Sequence, residues 1–138
     1  MKVGSWFEYK VTEERSDVPG KKTHTEHYAV ASINGDDIVF DKCIDGKKTE
    51  EQVEGRTSFG NGLVRNDDLK KYATETIDTA FGKKTVDVSD SMHNGVGRCG
   101  GSTVTYVGSD GVMYRSIEKQ LWSMGVRYTL TRDLVDLG

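Results

Sequence analysis

This 138-residue chain has one proline, Pro19, two cysteines and three histidines. Cys43 and Cys99 stand far apart, with no Cys-x-x-Cys and no zinc-ligand spacing around either, which excludes a thiolate metal framework. Positive charge is not in surplus. Nineteen Lys and Arg face twenty-two Asp and Glu, for a net charge of −3. That excludes a general nucleic-acid binder, which needs clustered cations against phosphate. No run approaches the roughly 18 apolar residues of a membrane-spanning helix.

Several chemical motifs fail on inspection as well. The acidic pairs Glu13-Glu14, Asp36-Asp37, Glu50-Glu51 and Asp67-Asp68 are adjacent in sequence. Almost all lie in or next to turns, and neighbours on a strand face opposite ways, so these are not acid/base dyads. No segment carries the spaced oxygens of a calcium loop. Gly-Lys-Lys-Thr lacks the upstream glycine and following helix of a phosphate loop. No metal or cofactor is expected.

What is present is a rhythm. Val, Thr and Tyr gather in short runs that end in glycine turns, and three turns reuse one tetrapeptide: Gly20-Lys21-Lys22-Thr23, Gly46-Lys47-Lys48-Thr49 and Gly82-Lys83-Lys84-Thr85. Strand formers punctuated every 8–12 residues or so predict an antiparallel all-β domain. The lysine pairs then read as solubilising turn residues. Leu, Ile, Val and Phe form only about a fifth of the chain, which suits a sheet that buries one face and wets the other.

The alternation predicts nine or ten strands in one domain over residues 1–138. The first runs from Val3 to Thr12 with Phe7, Tyr9 and Val11 inward and Trp6 on the polar side. The second ends at Asn34-Gly35, a hairpin signal, and the third places Ile38, Phe40 and Ile44 on one face. Loops are expected over 55–66 and 89–101. A short helix at 67–73 is the most the pattern allows, with Leu69, Tyr72 and Ala73 at helical spacing. So many strands joined by short connections predict one strongly curved antiparallel sheet, a half-barrel or a small closed barrel, with a two-sheet sandwich as the alternative.

A family resemblance points the same way. Glu75-Thr76-Ile77-Asp78-Thr79-Ala80-Phe81-Gly82 leads into Lys83 to Val88, then Thr105 to Val112, and closes on Tyr128-Thr129-Leu130. With the opening Val3-Gly4-Ser5-Trp6-Phe7-Glu8-Tyr9, this resembles secreted prokaryotic β-sheet domains of the lipoprotein-localisation-factor half-barrel class. The resemblance implies a concave sheet that is often a surface for lipid-like or protein ligands. It brings no catalytic residue with it.

Among candidate sites, His24-Thr25-Glu26-His27 invites a metal reading. However, His24 and Glu26 share a strand face while His27 points away, so the run is expected to be an exposed polar strand. Cys43 and Cys99 are a disulfide candidate if the protein is exported, and otherwise two unrelated thiols. An enzyme built on Cys99 beside Arg98, with His93, is the least favoured reading, because no elbow or oxyanion motif accompanies them. The aromatics carry more. Trp6 and Trp122 break the in/out pattern, and with Tyr114 they are the candidate ligand-binding residues; core filling is the competing reading.

The expected function is a non-enzymatic binding module whose sheet takes an apolar small molecule or another protein. A structural or assembly domain of a cell-surface protein is the alternative. Met1-Lys2-Val3-Gly4 runs directly into a strand pattern, leaving either a cytoplasmic protein or one whose leader or anchor has been removed. An extracytoplasmic or cell-surface location is the expectation.

Overall fold

A computed structural model describes residues 2–35, 37–56, 70–94 and 100–138. Nine strands follow one another: β1 (Trp6–Arg15), β2 (Lys21–Asn34), β3 (Asp37–Ile44), β4 (Lys47–Arg56), β5 (Lys70–Thr79), β6 (Gly82–Asn94), β7 (Gly100–Gly108), β8 (Met113–Leu121) and β9 (Arg127–Leu137). They form a single antiparallel sheet in the order β4-β3-β2-β1-β9-β8-β7-β6-β5. The first and last strands therefore meet at its centre.

The all-β, one-sheet expectation holds, and the closed barrel and the sandwich do not. β4 and β5 each pair on one side only and remain the two edges. The helical expectation fails over its described part: residues 70–73 belong to β5, where Ala73 pairs with Val88. Tertiary pairing there overrides a weak local helical spacing. Residues 67–69 of that segment lie outside the described residues, as do 57–66 of the first loop. In the second loop, β6 and β7 extend over 89–94 and 100–101, and residues 95–99 lie outside.

The hairpins explain the repeated tetrapeptide. Gly20, Gly46 and Gly82 all have φ between 82° and 94°, a region open to glycine at no steric cost. At the two-residue hairpin between β3 and β4, Asp45 and Gly46 both have positive φ, as a primed turn requires.

Burial does not follow a single face. Call the face of Tyr9 the front. Through the register, Phe7, Tyr9 and Val11 share it with Tyr28 and Glu26 of β2, Phe40 of β3 and Leu130 and Leu134 of β9. All of these are buried, Tyr9 and Phe40 completely. At β6 the same face carries Thr85 and Asp87, which are exposed, while Val86 and Val88 are buried on the back. β7 and β8 lie between these halves: Thr105 and Ser116 pair on the front and are buried, while Tyr106 and Arg115 pair on the back and are half-buried.

Cross-sheet contacts tie the halves down. Tyr9 donates its hydroxyl to the Met113 carbonyl at 2.8 Å, reaching over β9. On the back, Arg115 binds Asp133 at 2.6 Å and donates to the Asp78 carbonyl of β5 at 3.2 Å. β5 in turn touches β9, although three strands separate them in the sheet. The one-face-wet expectation is corrected accordingly: each half has a dry face, on opposite sides.

Candidate functional site

The site begins with alternation on β8 and β9. Gln120 and Tyr128 are paired across the ladder and Glu118 pairs with Leu130, so all four project from the front. Leu121 ends β8, and a single 3-10 turn over Ser123–Gly125 returns the chain to β9. Trp122 continues the front-facing series and stacks on Tyr128, ring centroids 4.8 Å apart and planes 13° from parallel. Its indole N–H donates to Gln120 Oε1 at 2.7 Å, and the Arg15 guanidinium lies 5.0 Å from the ring centre. Stacking and cation–π contact fix the ring plane together.

Opposite this aromatic pair, the β1–β2 turn supplies Val18, Pro19 and Gly20. Between them opens a pocket of about 540 Å³, which Leu130, Glu13 and Glu118 also line. Tyr128 donates its hydroxyl to Glu13 at 3.0 Å. Burial and that hydrogen bond push the Tyr128 phenol up to about 12, so it stays a donor. The lining combines apolar surface from Val18, Pro19, Leu130 and the aromatic pair with charged groups from Glu13, Arg15, Lys21, Lys22 and Glu118. Such a mixed lining can hold an apolar body with a polar end.

Behind the pocket stands a buried ionic centre. Arg132, which pairs with Val11, donates to Glu26 at 2.8 Å and to Glu118 at 2.9 Å. Tyr28 donates to Glu26 at 2.6 Å, Lys42 stands 3.4 Å away and His24 3.2 Å away. Burial acts to raise the Glu26 carboxyl, but the Arg132 charge and the hydrogen bonds from Tyr28 and Arg132 outweigh it and hold the group at about 2. Burial first, then Glu26 acting against Arg132, sets the Tyr28 phenol above its ordinary range. Glu118 belongs to both the pocket wall and this network, so the rigid ionic centre positions one side of the slot.

The three aromatic candidates do not converge. Trp6 lies at the other end of β1, on the back face, stacked on His27 at 5.1 Å and 23°. It is half-buried, and a side chain at Gly138 would collide with its indole. Tyr114 is buried and donates to Asp110 at 2.5 Å in the β7–β8 turn. Its ring also meets Phe81 edge-on at 6.2 Å, and a Cβ at Gly108 would come within 2.7 Å of it. That makes Tyr114 a fastener of two turns. Trp122 alone lines the pocket.

The remaining sequence candidates resolve unevenly. His24 and Glu26 do share a face with His27 opposed, as strand geometry requires, but Glu26 is buried, so the exposed-strand expectation is corrected. Among the described residues no three metal-ligating side chains converge. Cys43 is half-buried opposite His27, while Cys99 lies outside the described residues, and the disulfide with it. His93 pairs with Gly101 in the ladder, and its side chain lies outside the described set.

Sequence reasoning passed over Arg132 and Glu118 and left Glu13 and Tyr128 out of the candidate site. The signal existed: Glu26 shares the parity of Tyr28 and Val30, and Arg132 that of Leu130 and Leu134. A charge at an inward position needs a partner of opposite sign. No family model, curated protein or solved structure matches this chain. Among the described residues, no helix is long and apolar enough to cross a membrane.

Proposed function

We propose that the domain is a non-enzymatic binding module, extracytoplasmic or at the cell surface, whose ligand site is the pocket beside Trp122. The observation that carries this reading is the 540 Å³ slot with a stacked Trp122–Tyr128 wall, an apolar floor at Leu130 and a charged rim. An apolar or aromatic body fits the slot, and the rim orients its polar end. The half-barrel reading belongs with it. In the half that carries Tyr9, the front is the concave side, a reading supported by the Tyr9 hydroxyl reaching across β9 to Met113.

The test is fluorescence titration with 1-anilinonaphthalene-8-sulfonate, an aromatic anion of suitable size. The full chain should bind it saturably, Trp122→Ala should weaken binding at least about tenfold, and Trp6→Ala should leave it unchanged. Thermal melts confirm that both variants are folded. Equal loss in both variants, or no saturable binding, removes the pocket as the site.

An assembly role is the second reading, favoured by the open edges. β5 presents ten residues with only one ladder partner. Its Lys71, Glu75 and Asp78 are the charges by which an edge discourages strand addition, which weighs against it. Analytical ultracentrifugation decides: a monomer at high concentration leaves the pocket reading in place, and a defined oligomer favours assembly.

A further inference from the structure

At the end of the sheet where β1 turns into β2 and β8 into β9, apolar side chains are left in water. Met124 is 94% exposed at the tip of the β8–β9 turn, Leu121 is 44% exposed beside it, and Val18 is 43% exposed in the β1–β2 turn. The turns are laced into one tip. Ser16 donates its N–H to the Arg127 carbonyl at 2.9 Å, and Arg127 donates its N–H to the Ser16 hydroxyl at 2.9 Å. Met124 holds φ at 64°, a left-handed conformation unusual for a long side chain. Single exposed apolar residues are ordinary, but two on adjoining turns with a third at the strand end beside them are less so.

The charges around them are unevenly matched. Arg15 is paired with Asp17 at 2.7 Å, Lys21 with Glu14 at 3.3 Å and Glu118 with Arg132 at 2.9 Å. Lys22, Lys119 and Arg127 are exposed and have no ion-pair partner among the described residues. Glu13, which accepts the Tyr128 hydroxyl, stands opposite Lys22 in the ladder, which leaves Lys119 and Arg127 without a matching acid among the described residues. The tip thus combines protruding apolar side chains with a local surplus of cations on a chain whose net charge is −3.

We propose that this tip docks on an anionic lipid surface. Met124, Leu121 and Val18 enter the interfacial region, and Lys22, Lys119 and Arg127 meet the lipid phosphates. Apolar tips flanked by basic residues are what interfacial partition requires. A stable protein partner would need roughly 800 Å² on each side, more than these three side chains offer. The inference is independent of the pocket reading.

Vesicle flotation of the full chain tests it. Vesicles of phosphatidylcholine with about a third phosphatidylglycerol should carry the protein at low salt, and phosphatidylcholine alone should not. Raising salt to about 0.5 M should release it, because surface charge is then screened within a few ångströms. Met124→Asn keeps a residue that tolerates the left-handed turn, so the fold survives. It should lower vesicle affinity at least about fivefold, and Lys119→Gln with Arg127→Gln should lower it by a similar factor and flatten the salt dependence. No flotation on anionic vesicles at low salt overturns the proposal, as does binding that neither variant weakens. Self-association lost in Met124→Asn, without vesicle binding, would assign the tip to a protein partner and also overturn it. Retained naphthalene-sulfonate binding in those cases shows that the tip has failed and the pocket has not.

Discussion

The two halves of the sheet are built from the same alternation and bury opposite faces. In β1, β2 and β3 the front is dry, with Tyr9, Phe40 and Ile38 fully enclosed around the Glu26–Arg132 centre. In β6 the front is wet and Val86 and Val88 close the back, on the side where Arg115 reaches the β5 chain. Period-two patterning therefore states which residues share a face but not which face of the sheet they share. Register decides that. It also places the pocket, which sits on the front at the turn end of β1, β8 and β9, with no described residue of β5 or β6 in its lining.

The largest effect distinguishing the halves should come from the buried ionic centre, which among the described residues lies on the front. Arg132→Met leaves Glu26 buried without its main counter-charge and should cost about 3–5 kcal/mol in urea melts. The native chain carries a matching pH dependence. The Glu26 carboxyl falls from 4.5 to about 2 on folding, so its contribution is full above pH 4.5 and is lost as pH drops from there towards 2. The loss should be on the order of 3 kcal/mol, and Glu26→Gln should flatten that limb of the profile. An unchanged acid limb would show that the centre is not ionic.

Core truncations come next. Phe40→Ala should cost about 3–5 kcal/mol and Val88→Ala about 2 kcal/mol, because both leave cavities in dry faces. Thr76→Ala, on the wet front of β5, should stay within about 0.5 kcal/mol. If Val88→Ala were as mild as Thr76→Ala, the back-face core would be wrong. Trp6→Ala should fall between, near 1–2 kcal/mol, since the half-buried indole loses its stack on His27. One change should be a gain. Met124→Gly releases the left-handed strain at φ 64° and should stabilise the chain by up to about 1 kcal/mol, read as a small rise in Tm.

Much of the fold was legible in the residues. Phe7, Tyr9 and Val11, the pair Ile38 and Phe40, and the glycine turns all fall where alternation and turn chemistry put them, because those are local constraints. The β1–β9 pairing was not legible, since it joins residues more than a hundred positions apart and no local signal encodes it. That pairing brings Arg132 to Glu26 and sets Tyr128 beside Glu13, whereas Trp122 meets Tyr128 through the local β8–β9 hairpin. The candidate site was thus visible one residue at a time, in Trp122, and invisible as an assembly. Trp6 and Trp122 looked equivalent in sequence because both broke an expected pattern, yet one caps the back of β1 and the other walls the pocket.

The most direct test of the pocket as the binding site is a two-dimensional amide spectrum recorded while 1-anilinonaphthalene-8-sulfonate is titrated into the labelled chain. Shifts confined to residues 13–22 and 118–130, with Trp122 Nε1–H the most displaced side-chain signal, are the predicted result. Shifts centred on Trp6 and His27, or scattered over β5 and β6, would contradict it.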